Sequence, residues 1–265
     1  MSLLSRLFGR SKPKPEPRHA LAMVMLPGDQ PVDGRAVLDH LAATWGDLPA
    51  IAGVESSDGR TIAAIRGGML AIAQVPMPIP ATDLEGPVAL AWHWPEAAER
   101  VAAHRQHLLV HAASDALDAL DLRLFHTRLV ASALAVSQAT GVYAGDAMLV
   151  RSAEAWAEDA RSASRAEPPI LSWIGFNVVA EPDATSAYTT GLSSFGHREL
   201  EVRRTARPPG DVIGSLADLA NYLLASGRSF RDGDTFGATA SDRTRIRFAR
   251  SEFIPDLDVA VLEIG

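Results

Sequence analysis

Thr61-Ile-Ala-Ala-Ile-Arg66-Gly67-Gly68-Met69-Leu-Ala-Ile-Ala-Gln-Val75 contains two strand-like runs flanking a pair of glycines. Two glycines at that place supply the positive φ angles that a tight hairpin demands, so the pair of runs predicts an antiparallel unit. Working outward, Ala20–Leu26 is an apolar run of strand length closed by Pro27-Gly28-Asp29. Asp33 is placed to cap a helix in which Val37, Leu38, Leu41, Ala42 and Trp45 recur at helical spacing, with Gly46 as its stop. A proline-rich connection from Pro76 to Pro87 leads through Val88–Trp92 to a helix beginning near Pro95 and a strand over Leu108–Ala112. Strand, helix, hairpin, helix, strand is the order of a ferredoxin-like layer, in which helices cover one face of an antiparallel sheet.

The rest of the chain continues in the same style. Asp115–Thr140 is broadly apolar and predicts a central helix, ended by Gly141; a second helix is expected over Ser152–Ala163 and a break at Pro168-Pro169. Strands are expected over Ile170–Ala180, His197–Arg204, Asp234–Thr239, Arg243–Arg250 and Asp258–Ile264, with a well-patterned helix over Asp211–Ser226 ended by Gly227. Helix followed by Ser57-Asp58-Gly59-Arg60-Thr61 is echoed by helix followed by Ser241-Asp242-Arg243-Thr244. The expected class is therefore α+β, with antiparallel sheets and helices packed on one face. Residues 1–18 read as a flexible basic tail and 19–265 as the body, either one core or two ferredoxin-like halves near 19–140 and 141–265.

Composition limits the chemistry. The chain has 265 residues and no cysteine, which removes disulfides, thiolate metal sites and cysteine nucleophiles. Residues 1–18 hold Arg6, Arg10, Lys12, Lys14 and Arg18 against Glu16, a net +4; since the whole chain is −7, the remainder carries −11. So acidic a body lacks the field that drives binding to nucleic-acid phosphate, and no nucleic-acid partner is expected. Leu3, Leu4, Leu7 and Phe8 can share one side of a short helix beside arginines, and the Lys-Pro-Lys-Pro-Glu-Pro run after them reads as an extended spacer. That pattern allows weak membrane-surface contact through the tail or simple fraying at the terminus. No signal peptide or membrane-spanning run is read, and the expected location is the cytoplasm.

No phosphate loop, dinucleotide-binding glycine pattern, zincin helix or nucleophile elbow occurs; Gly191-Leu-Ser-Ser-Phe-Gly196 has the wrong spacing for the last. His104, His107 and His111 would approach one another on a helix, but the apolar residues between them favour a strand, on which they diverge. The candidate polar site is His197, Glu199, Glu201, Asp232 and Asp234. If the loops that carry them converge, the four carboxylates suit a hard cation or acid–base work, with His197 as proton carrier. The bland alternative is a solvated strand face and an Asp-Gly turn.

Ala91-Trp-His-Trp-Pro-Glu-Ala97, Tyr188-Thr-Thr-Gly-Leu192, Phe195-Gly-His-Arg-Glu-Leu-Glu-Val202 and Asp232-Gly-Asp-Thr-Phe-Gly237, in that order, resemble the bacterial family catalogued as domain of unknown function 4261. The resemblance covers most of the body and implies a shared fold unit; it names no activity and no catalytic residue. Two functions are carried forward. The first is a noncatalytic binding or regulatory protein, of immunity or accessory type, that engages another protein and needs no cofactor. The second is a metal-assisted hydrolase using the acidic group.

Overall fold

The computed structural model describes residues 18–237 and 244–264. The readings made for residues 1–17 lie outside the described residues, as does most of the Ser241–Thr244 loop.

Seven strands form the first sheet: β1 (Arg18–Leu26), β2 (Ala52–Ser57), β3 (Arg60–Ile65), β4 (Gly68–Val75), β5 (Gln106–Ser114), β6 (Gly141–Ala144) and β7 (Leu149–Ser152). Their spatial order is β2-β3-β4-β5-β1-β6-β7, and every neighbouring pair is antiparallel. The second sheet comprises β8 (Gly175–Glu181), β9 (Ala184–Thr190), β10 (Leu200–Thr205), β11 (Thr235–Phe236), β12 (Thr244–Arg250) and β13 (Asp258–Glu263), ordered β11-β12-β13-β10-β9-β8. Only β10 and β13 pair in parallel there. The class is α+β.

The quoted hairpin forms as read: Ile65 pairs with Gly68 and Gly67 takes φ +66°. Gly68 answers a different need, because a Cβ there would overlap the Ala113 carbonyl on β5. Helix α1 (Gly34–Thr44) starts where Asp33 accepts a 2.9 Å hydrogen bond from the Arg35 N–H, and it turns Val37, Leu38 and Leu41 inward. Helix α4 (Ala119–Ala135), capped by Asp118, and helix α5 (Ala153–Ser162), capped by Ser152, pack with α1 on the same side of the first sheet.

Three local readings change. The Pro76–Pro87 connection contains helix α2 (Ala81–Ala89), for Pro80 sits at the cap, where no donor is lost, and Leu84 is drawn into a cluster with Met25, Trp94 and Val150. Helix α2 and the short α3 (Ala97–Ala102) thereby cover part of the sheet's other face. Residues 170–173 form one helical turn, α6 (Ile170–Trp173), which buries Trp173 before β8 begins at Gly175. β10 starts at Leu200 rather than His197, because Gly196 and His197 still belong to the exit of a preceding turn at Leu192–Phe195.

Helix α4 has no solvent face of any width. Leu122, Phe125, Leu129 and Val130 belong to the core under the first sheet; Leu120 and Leu124 join Trp173, Leu200, Val202 and the inward side of α7 (Pro209–Ser226) in the core under the second.

Gly68→Ala should destabilise the fold by about 1–3 kcal/mol, the usual cost of forcing atoms into a packed site. Gly46→Ala, where a new methyl would meet nothing within 4 Å, should change stability by less than about 0.5 kcal/mol. Urea unfolding of the two variants checks both values.

Candidate functional site

The structure distributes the candidate polar residues among separate duties. Glu199, 3% exposed, turns inward: it accepts hydrogen bonds from the backbone N–H groups of Gly191 (3.0 Å), Leu192 (3.2 Å) and Ser193 (2.9 Å) and from the Thr189 hydroxyl (2.8 Å). A carboxylate with four donors caps the Leu192–Phe195 turn and fixes the Gly191-Leu-Ser-Ser loop. Glu201 is fully buried against Arg203 (2.6 Å), the Ser251 hydroxyl (2.5 Å) and the Glu252 N–H (3.2 Å), so it anchors the 251–257 connection over β10.

Asp232 and Asp234 stand on the far side of β12. Asp232 accepts from the Phe248 N–H (2.8 Å), and Asp234 closes its own turn on the Arg231 N–H (2.8 Å). Because β13 lies between β12 and β10, the two strands are roughly 10 Å apart. Among the described residues no group of three or more His, Asp or Glu side chains is placed to hold a metal ion. His197 lines a separate pocket of about 280 Å³ with Arg198, Leu223, Phe230 and Phe248; burial depresses its pKa. The other histidines also diverge. His104 accepts from the Ile79 N–H (2.8 Å), His107 meets the Met77 carbonyl (2.9 Å), and His111 faces the open side of the first sheet.

That open side is the feature sequence reading missed. Side chains that alternate away from α4 form two rows across five strands: Ala52, Ala64, Met69, Ala113 and His19, then Glu55, Ile62, Ala71, His111 and Leu21. Arg60, Ala73, Leu109 and Met23 form a third. Every one of these residues is exposed or half-buried, and the most exposed of the large apolar ones reach 38% (Leu21), 42% (Ile62) and 40% (Met69). The sign was available in principle, since Arg60–Val75 and Leu108–Ser114 are apolar at both alternating positions, as in a sheet with something against each face.

Beside this face runs a groove of about 460 Å³ whose walls include His19, Leu21, Met23, Tyr143, Asp146 and Ser194. It joins β1 and β6 to the turn that Glu199 holds. The Ser194 hydroxyl donates to Asp146 (2.9 Å), and Asp146 also pairs with the buried guanidinium of Arg123. Partial burial opposes the charge on Asp146, but Arg123 and Ser194 outweigh it and hold the carboxyl below its ordinary pKa. A carboxylate so stabilised is a weak base, and Ser194 is therefore a positioned hydroxyl without an activating partner.

Behind Arg123, His126 is fully buried; its Nε2 donates to the Val110 carbonyl (2.9 Å). Burial, aided by Arg123, lowers its pKa from 6.5 to about 4. The folded state therefore binds fewer protons than the unfolded state between those values. Stability from the neutral ring is present above pH 6.5 and is lost as pH falls toward 4, by about 3 kcal/mol in all. NMR titration should find the His126 ring neutral at pH 5, and His126→Gln should show a shallower loss of urea stability between pH 6.5 and 4 than the parent chain. In the same assay, Glu199→Ala should cost about 1–3 kcal/mol, because it leaves the buried Gly191 and Leu192 N–H groups without their acceptor.

No curated protein and no solved structure matches the chain. A family model described as Domain of unknown function (DUF4261) matches residues 188–264. The match takes in the Glu199 turn, α7 and β10–β13, and it excludes the Ala91–Ala97 stretch and the first sheet. Within those limits the resemblance holds: residues 188–264 of this chain are similar to the DUF4261 family.

Proposed function

We propose that the chain is a noncatalytic binding or regulatory protein of the bacterial cytoplasm, of immunity or accessory type, and that it engages another protein through the uncovered face of its first sheet. The observation that supports this is the set of three register rows in which Leu21, Ile62 and Met69 stand exposed among alanines. Five strands about 4.8 Å apart and three rows about 6.8 Å apart give a patch of roughly 19 by 14 Å. Apolar patches of a few hundred Å² are the largest that typical monomers expose, and they are often functional.

The reading also accounts for the electrostatics. A −11 body disfavours nucleic acid, and the face itself carries only Arg60, Glu55 and two histidines among apolar groups. Burial, then the nearby His19, lowers the pKa of His111, so its ring is neutral at pH 7 and adds to the apolar character. The hydrolase alternative has less support, because Glu199, Glu201, Asp232 and Asp234 each already accept hydrogen bonds from protein donors.

Immobilised parent protein and the full-length Leu21→Glu and Met69→Glu variants, exposed to bacterial lysate, test the proposal. A charged carboxylate at either exposed position should leave the unfolding midpoint nearly unchanged. It should weaken retention of the specific partner at least about tenfold, as expected when a central contact worth over 1.4 kcal/mol is lost. Identical retention by all three proteins would defeat the assignment of this face.

A further inference from the structure

A pocket of about 360 Å³ lies where the segment after α1, the end of β3, helix α4 and the loop after α5 meet. We propose that it binds a small phosphate monoester with an apolar body, whose phosphate is held by Arg66, Arg128 and Arg165 and whose body rests on Leu117, Leu124 and Phe125. The site shares no residue with the open face of the first sheet, so it stands apart from the protein-binding reading.

Charge carries the argument. Three guanidinium groups line the pocket against two carboxylates, Asp47 and Asp121, a net +1 within a body of −11. Arg165 already has counter-charges, since its Nη1 bonds Asp118 (2.9 Å) and Asp121 (2.5 Å). Arg66 and Arg128 form no ion pair among the described residues. Arg66 is exposed, where water solvates the charge; Arg128 is half-buried, where a charge without a counter-ion is costly. Its Nη1 donates to the Asp47 carbonyl (2.9 Å) and its Nη2 to the Ala163 carbonyl (3.5 Å), and the Trp45 ring lies 5.6 Å from the guanidinium. Among the described residues its buried Nε finds no acceptor. These contacts fix the group in place without cancelling its charge, and they leave part of its five-donor fork unused. A positioned, partly desolvated guanidinium beside a second unpaired one is the arrangement that binds phosphate.

The lining also selects the kind of anion. A phosphate monoester carries about −1.5 to −2 charge near pH 7 and three acceptor oxygens, where a carboxylate brings one charge and two. The dianion matches two unpaired guanidinium groups and the Ser164 hydroxyl, which accepts from the Glu167 N–H (3.0 Å) and keeps its own proton to donate. Leu117, Leu124 and Phe125 are buried and give an apolar floor, and the volume is that of a site for a small organic ligand.

Isothermal calorimetry of the full-length chain with phenyl phosphate tests the site, with inorganic phosphate, phenol and benzoate for comparison. One site per chain with a Kd below about 1 mM is expected, and each comparison compound should bind at least about tenfold more weakly. Arg66→Gln, at an exposed side chain, and Arg128→Gln should each weaken phenyl phosphate about tenfold or more, while Arg60→Gln, an exposed arginine outside the pocket, should leave it unchanged. Phenyl phosphate should also raise the melting temperature of the parent chain, and by less in Arg66→Gln. The inference is overturned by the absence of binding up to about 10 mM, by undiminished affinity in Arg66→Gln, by an equal loss in Arg60→Gln, or by benzoate or inorganic phosphate binding as tightly. None of these results alters what the open face retains from lysate.

Discussion

Two indole N–H groups from different cores end on one residue. Trp156, under the first sheet, donates to the Thr127 carbonyl (3.2 Å), and Trp173, under the second, donates to the Thr127 hydroxyl (2.7 Å), which itself donates to the Arg123 carbonyl one turn back (2.8 Å). Thr127 is fully buried in the middle of α4. A buried tryptophan must find an acceptor for its N–H, and an orphaned one costs about 1–3 kcal/mol. Thr127 satisfies both, so the position of α4 fixes the two cores relative to each other.

The polar groups on the same helix set the groove. Arg123, one turn before Thr127, is too buried to stand without a counter-charge; Asp146 supplies it from the turn between β6 and β7. Ser194 then contacts Asp146 from the second sheet's leading loop, and Phe195 lies 5.6 Å from the Arg123 guanidinium while stacking on Trp173. Glu199 freezes that loop from within. The carboxylate that sequence reading set aside for chemistry thus serves geometry, placing a surface hydroxyl and an aromatic ring at the seam between the sheets.

Much of the architecture was legible because local signals agreed: Asp33, Ser152 and Gly227 mark helix ends where they stand, and Gly67-Gly68 marks the hairpin. β2, an edge strand exposed along nearly its whole length, and β9, built of Ala, Ser, Thr and Tyr, carried no alternation to read. The acidic site was misleading for a physical reason. Spacing in a strand tells which side chains share a face, but whether a carboxylate meets solvent or three backbone N–H groups depends on a turn seven residues away, and that is tertiary information. The open face was hidden likewise, since an apolar strand position looks the same whether or not anything covers it.

The family match starts at Tyr188, inside β9 rather than before it. A fragment cut there would lose Ala184–Ala187, the whole of β8, and both Trp173 and the Thr127 hydroxyl that accepts its hydrogen bond. What remained would present the stub of β9 as a raw sheet edge and the floor of α7 without Leu120 and Leu124. Sequence likeness and folding autonomy therefore part company in this chain: the matched segment is shorter than the smallest piece able to close its own core, which must bring α4 with it.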